Sequence, residues 1–307
     1  MNVSAEYVVQ TEGLTKRFGD RVAVNGVDLR IPAGSAFGYL GPNGAGKTTL
    51  IRMLLGLTSI SSGEIRLLGH PIPSRRADAL ARVGAIVEEP RFHGYLTGRE
   101  NLWIAAAARE PEAHTRIDGA LARVGLSHRA DERVKAYSLG MRQRLGVARA
   151  LLGDPELLIL DEPMNGLDPA GIEEFRHMIR GLVDEGRTVV LSSHLLDEVE
   201  KTCDAIAIVD QGRVVVQGSI EELTGDASTV LVSTSDDLHA QSLLAASGIE
   251  TVAGGLRITV DGDISSAAAA LNRRLVEAGL DVHRLEPERI SLERRFLEIT
   301  SRLEAAA

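Results

Sequence analysis

Gly41-Pro42-Asn43-Gly44-Ala45-Gly46-Lys47-Thr48 fits the spacing G-x-x-x-x-G-K-[ST], the pattern of a loop that cradles nucleotide phosphates. Each residue type has a task in it. The glycines let successive backbone N–H groups turn inward and form an anion-binding concavity. Lys47 brings a mobile positive charge to the β- and γ-phosphates, and the Thr48 hydroxyl can ligate Mg2+. Just upstream, Ala36-Phe37-Gly38-Tyr39-Leu40 reads as a strand running into the loop. Downstream, Thr48-Thr49-Leu50-Ile51-Arg52-Met53-Leu54-Leu55 reads as the helix leaving it. Such a helix points the partial positive charge of its N-terminus at the phosphates. The whole stretch from Gly41 to Thr49 is therefore expected to bind the phosphates of a nucleoside triphosphate, with Mg2+.

A phosphate loop of this kind needs a second half, an apolar strand ending in acid. Leu157-Leu158-Ile159-Leu160-Asp161-Glu162 supplies it. The strand delivers Asp161 to the Mg2+ shell, and Glu162, one residue further, can polarise a water. Between the two motifs lies Tyr137-Ser138-Leu139-Gly140-Met141-Arg142-Gln143-Arg144-Leu145, which precedes a helical stretch. Here the chain resembles the ATP-binding-cassette (ABC) family, whose signature reads L-S-G-G-Q. Ser138 and Gly140 match its serine and second glycine, while Tyr137, Leu139 and Met141 depart from it. The physical logic survives these departures. Ser138 is a plausible N-cap, and the helix start behind it is another phosphate site. In the family, that site closes over ATP held by a second cassette.

Four further segments fall in the order the resemblance implies. Phe18, in Lys16-Arg17-Phe18-Gly19, matches the aromatic that stacks on adenine. Asn165-Gly166-Leu167-Asp168 matches the loop whose aspartate reaches the opposite cassette. Ser192-Ser193-His194 follows the apolar strand Thr188-Val189-Val190-Leu191 and matches the switch histidine that senses the γ-phosphate. Val83-Gly84-Ala85-Ile86-Val87-Glu88 matches a loop that normally ends in glutamine. A carboxylate is a good hard-cation ligand, so Glu88 is expected to approach Mg2+ when the site closes; the alternative is a solvated Glu88 with its neighbour Glu89 in that role. The resemblance covers roughly residues 6–224, and Glu88 with the Ser-Leu-Gly-Met signature looks like the bacterial drug- and bacteriocin-exporter cassettes.

Composition narrows the class further. The 43 acids against 34 bases argue against a chain that coats nucleic acid, so no nucleic-acid partner is expected. The single cysteine, Cys203, cannot form an internal disulfide and suits a reducing cytosol. The longest apolar run, Leu102 to Ala108, is far shorter than the ~20 residues of a membrane helix. Met1 to Gln10 lacks the basic flank and apolar core of a secretory signal. The expectation is a cytoplasmic chain, held at the inner face of the cell membrane through another chain.

The pattern predicts an α/β fold: a P-loop ABC nucleotide-binding domain with a mixed sheet and a helical subdomain, plus a small C-terminal α+β accessory domain. The first domain is placed at residues 1–224, its helical subdomain at about 91–155, and the accessory domain at 225–307. Thr97-Gly98-Arg99-Glu100 is a capping-box start for a helix over Leu102–Arg109, and a second helix is expected over about Ala113–Val124. Asp204–Val209 and Arg213–Gln217 read as a closing hairpin around Asp210-Gln211-Gly212. Beyond residue 225 the order β-α-β-β-α-β suggests a ferredoxin-like unit. It ends in an amphipathic helix, Ser291 to Ile299, with Leu292, Phe296 and Ile299 on one face for packing on its own domain or for a homodimer contact.

The resemblance implies an ATP hydrolase working as a homodimer of cassettes. The P-loop, Phe18 and Asp161 hold MgATP, and Ser138, Gly140 and Asp168 of the second copy cover it. Glu162 acts as general base, and His194 and Lys47 act on the γ-phosphate. Its partners would be membrane permease subunits docked near Glu88–Leu102, and its cargo an exported drug, antibiotic peptide or lipid. The rival readings are a soluble, non-transport ABC ATPase and a nucleotide-gated regulatory module. Ribosome-acting relatives carry two cassettes and DNA-acting ones long heptad coils, and this chain shows neither.

Overall fold

Ala36–Leu40 is buried along its whole length, as an apolar run without polar alternation requires of an interior parallel strand. The first unit is built around it. A computed structural model of the chain describes residues 7–224, 229–244, 248–260, 263–288, 292, 293 and 296. Two compact units divide it, Met1–Ser219 and Ile220–Ala307. The sequence places the boundary after Thr224, five residues later; the short helix Ile220–Thr224 falls in the second unit.

The first unit runs β1 (Tyr7–Phe18), β2 (Arg21–Pro32), β3 (Ala36–Leu40), α1 (Lys47–Leu54), β4 (Ser62–Leu67), β5 (His70–Ile72), α2 (Arg76–Leu80) and β6 (Val83–Ile86). It continues with α3 (Gly98–Ala107), α4 (Ile117–Arg123), α5 (Leu139–Leu151), β7 (Leu157–Leu160), α6 (Pro169–Asp184), β8 (Thr188–Ser193), α7 (Leu196–Thr202), β9 (Ala205–Asp210) and β10 (Arg213–Ser219). An antiparallel sheet takes the order β2-β1-β4-β5, and a mixed sheet the order β10-β9-β3-β8-β7-β6. Pairs among β9, β3, β8, β7 and β6 are parallel, and β10 closes the edge antiparallel to β9. One core joins both sheets through α1: Val9, Leu14 and Leu29 from the first and Phe37, Ile159 and Val190 from the second meet Leu50, Ile51, Met53 and Leu54. The phosphate-loop helix is thus held on two sides, which fixes where its N-terminus points.

Helix α3 starts at Gly98 because the capping box is complete. Thr97 Oγ1 accepts from Glu100 N, and the Glu100 carboxylate accepts from Thr97 N at 2.7 Å. The single helix expected over Ala113–Val124 is instead a 3-10 turn, Pro111–Arg116, followed by α4. Thr115 Oγ1 donates to Glu112 O at 2.7 Å, an i→i−3 contact that favours the tighter turn.

The second unit contains α8 (Ile220–Thr224), β11 (Thr229–Thr234), α9 (Asp237–Leu243), β12 (Ile249–Val252), β13 (Gly255–Thr259), α10 (Ile264–Glu277) and β14 (Val282–Glu288). Its antiparallel sheet has the order β12-β13-β11-β14, the ferredoxin-like arrangement of a β-α-β-β-α-β chain. The buried face carries Val230, Val232, Leu256 and Ile258 against Leu271 and Leu275 of α10. Arg257 pairs with Glu288 and Glu250, and these bonds hold its guanidinium well above its ordinary pKa. The terminal helix expected over Ser291 to Ile299 lies outside the described residues except at Leu292, Glu293 and Phe296.

Cys203, at the C-terminus of α7, is buried, and burial pushes its thiol far above the ordinary value. Only the thiolate is nucleophilic. An alkylating reagent at pH 8 is therefore expected to leave the native chain unmodified and to label it fully in denaturant, as read by intact mass. Rapid labelling of the native chain would contradict this burial.

Candidate active site

Strand order assembles the site. β8 lies between β3 and β7, so the phosphate loop, Ser193-His194 and Asp161-Glu162 leave three adjacent parallel strands at the same edge. This carboxyl edge is where open α/β sheets bind ligands. The loop is pinned from both sides. Gly41 N donates to Ser193 O at 3.4 Å, and Gly212 N, in the β9–β10 turn, donates to Ala45 O at 3.1 Å. Two glycines are required by close approach. A Cβ on Gly41 would lie 2.3 Å from the Val209 carbonyl oxygen. One on Gly46, whose φ is +103°, would lie 2.2 Å from that of Ala23.

Lys47 is buried at the start of α1. Its ammonium donates to Gly41 O at 2.6 Å and Pro42 O at 3.2 Å, and it lies 3.1 Å from Glu162 Oε1. The other Glu162 oxygen, Oε2, is 2.9 Å from His194 Nδ1. One carboxylate thus bridges the loop lysine and the histidine. Ser192 orders the acids from below: its hydroxyl donates to Asp161 Oδ1 at 2.6 Å and accepts from Glu162 N at 2.9 Å. Glu162 itself sits at φ +47°, a conformation costly for a residue with a side chain and concentrated at functional sites. Chemically, the arrangement offers a cation for phosphate oxygens and, beside it, a carboxylate able to take a proton from water.

A cavity of about 510 Å3 opens over these groups. Phe18 lines one part of it, and Asn43, Gly44, Gly46, Lys47, Thr48, Thr49, Glu162 and His194 line the rest. Gly41, Pro42 and Ala45 form the loop's backbone frame. Asp161 lies behind the cavity, buried on Ser192. Among the described residues no group of three or more His, Cys, Asp or Glu could hold a metal ion. Thr48 and Asp161 offer only hard oxygen donors. That suits Mg2+, which takes one or two carboxylates and completes its shell with water and phosphate oxygens.

Ser138, Gly140 and Asp168 do not line this cavity. Ser138 caps α5, accepting from Met141 N at 3.2 Å, and Asp168 caps α6, accepting from Gly171 N at 3.0 Å. The two helix starts pack on one another, Gly166 against Leu139 and Gly140 against Leu167. Glu88 is not brought to the cavity either: it is exposed, sits at φ +66°, and pairs with Arg52 of α1. Glu89 turns the other way, 3.7 Å from Arg142 of α5. Sequence reading missed Arg21 and Asn165, which line the cavity, and Ser192 as the residue that orients both acids. Asn165 and Ser192 stood inside segments already singled out. Arg21 carried a signal only through the Gly19-Asp20 turn beside Phe18.

A family profile described as ABC transporter matches residues 24–165. The chain is 38% identical over 300 residues to the bacitracin transport ATP-binding protein BcrA of Enterococcus faecalis, covering 96% of each chain. It is 36% identical over 307 residues to the daunorubicin resistance ATP-binding protein DrrA3 of Streptomyces coeruleorubidus, again covering 96% of each. Among solved structures, cbiO1 of Clostridium perfringens, part of the ABC transporter complex cbiONQ, is 30% identical with a TM-score of 0.66. That likeness covers 71% of this chain and 90% of cbiO1.

Proposed function

The chain belongs to the ATP-binding-cassette transporter family and is an ATP hydrolase, and from that premise we propose that it energises an exporter. The cargo class is a drug, antibiotic peptide or lipid, moved through separate membrane permease subunits. The observation that carries this reading is the near full-length likeness to proteins named for bacitracin transport and daunorubicin resistance. Among the described residues no helix is long and apolar enough to cross a membrane, and in this proposal the permease subunits supply the path for cargo.

In this proposal Phe18 stacks on adenine, and residues Gly41 to Thr49 cradle the phosphates. Thr48 and Asp161 would hold Mg2+ through their side-chain oxygens, and the ion would supply positive charge to offset the charge that develops on the phosphates. Glu88 would join them only by giving up its ion pair with Arg52. The γ-phosphate competes with Glu162 for the Lys47 ammonium, so substrate frees one carboxylate oxygen of Glu162 to act as base on the attacking water. His194, already 2.9 Å from the other oxygen, holds Glu162 and can donate to the γ-phosphate. Ser138, Gly140 and Asp168 of a second copy close over the nucleotide, consistent with their absence from the chain's own cavity. Loss of the γ-phosphate removes contacts made only in the closed pair, and the cassettes reopen.

The test is affinity purification of the tagged chain from detergent-solubilised native membranes, with mass spectrometry of near-stoichiometric partners. A polytopic membrane protein is the expected partner. Recovery with ribosomal or DNA-repair proteins, or with none, would overturn the exporter reading.

A further inference from the structure

Phe18 and Arg21 are directly paired across the β1–β2 hairpin, and only Gly19 and Asp20 separate them. Gly19 supplies the positive φ, +56°, that a tight two-residue hairpin turn needs at its first position. Residues directly opposite in an antiparallel pair project to the same face, and both side chains line the cavity. The Phe18 ring carries the Lys16 ammonium 4.9 Å from its centroid. The Arg21 guanidinium extends the other way, toward the phosphate loop, with Nη2 3.5 Å from the Gly44 carbonyl oxygen. That distance is at the limit of a hydrogen bond. Arg21 makes no ion pair among the described residues. Lys47, by contrast, already answers two carbonyls and a carboxylate.

A nucleoside triphosphate brings several negative charges, and the cavity lining otherwise offers Lys47 as its side-chain cation. We infer that Arg21 is a further nucleotide-binding residue, whose guanidinium pairs with the phosphate chain of ATP at the tip of the loop. The planar fork matches phosphate oxygens two at a time. The hairpin therefore delivers two functions from one turn: an aromatic for the base at Phe18 and a cation for the phosphates at Arg21. This rests on the cavity being the ATP site.

The test is competition against a fluorescent ATP analogue on the full chain, for the wild type, Arg21→Ala and Arg21→Lys. The competing probes are ATP and inorganic tripolyphosphate, which has no base to stack. Arg21→Ala is expected to weaken both probes by about 10- to 100-fold, the scale of a lost charge-assisted hydrogen bond. Arg21→Lys, which keeps the charge without the fork, should fall between, with thermal stability unchanged. A loss for ATP but not for tripolyphosphate would place Arg21 on the base or ribose and overturn the assignment. Unchanged binding of both would overturn it as well. Failure of the wild type to bind any nucleotide would instead sink the ATP-site reading beneath it.

Discussion

Glu162→Gln should bind ATP at least as tightly as the wild type while hydrolysing it about 100- to 10,000-fold more slowly, the range a general base contributes. Both halves follow from one carboxylate. Its Oε1 lies 3.1 Å from the Lys47 ammonium and its Oε2 lies 2.9 Å from His194. Glutamine keeps the shape but removes the negative charge that competes with phosphate for Lys47, so binding does not suffer. It also removes the carboxylate that would accept the proton, so water is not activated. With hydrolysis stalled, the ATP-loaded chain should accumulate as dimers, visible by light scattering with ATP and absent with ADP. Near-normal phosphate release from this variant would remove Glu162 from the role of base.

The second large effect is expected at Gly46. Gly46→Ala should lose ATP binding by more than about 100-fold, because the new methyl has no place to go. It would meet the Ala23 carbonyl oxygen at 2.2 Å, and that oxygen belongs to β2, which is held in a sheet and cannot yield as a flexible side chain would. The residue also sits at φ +103°, where a side chain is strained whatever the space around it. The loop must shift, and its inward N–H groups lose their common focus. Gly181→Ala is the control. That glycine lies on the exposed face of α6, and a Cβ added there would meet nothing within 4 Å. Alanine should therefore preserve binding and gain up to about 1 kcal/mol of stability from helix propensity. Equilibrium titration with labelled ATP and thermal melts of both variants check the pair. Wild-type affinity in Gly46→Ala would show that the loop tolerates the shift.

Much of this site was legible because its chemistry is carried by short contiguous runs. The glycine spacing before Lys47 and the apolar run before Asp161-Glu162 each announce a strand, a turn and a task. Local caps were legible for the same reason: Thr97 and Ser138 each accept from a backbone N–H three residues on. The less legible features depend on partners distant in sequence. Nothing in Val87-Glu88-Glu89 shows that Arg52 and Arg142 draw the two carboxylates apart. Nothing near Ser192 shows that its hydroxyl joins Asp161 to the Glu162 backbone, about thirty positions away. The 3-10 form of Pro111–Arg116, where the Thr115 hydroxyl bonds backward to the Glu112 carbonyl, was not read from the apolar pattern either.

By itself the sequence determined which groups this chain can bring to a phosphate, because residue type and spacing decide whether a loop can wrap an anion and whether a strand can end in acid. It also determined the alternation of apolar strands and helices that makes a parallel sheet the economical way to bury them. Only the tertiary structure decided their neighbours. The chain makes β3, β7 and β8 in that order, but the sheet places β8 between the other two. That interchange sets His194 and Ser192 beside Glu162 and within reach of the phosphate loop. Its physical reason is that parallel strands need crossover connections long enough to pass over a neighbour, so spatial order is settled by how the helices pack on the sheet and not by order along the chain.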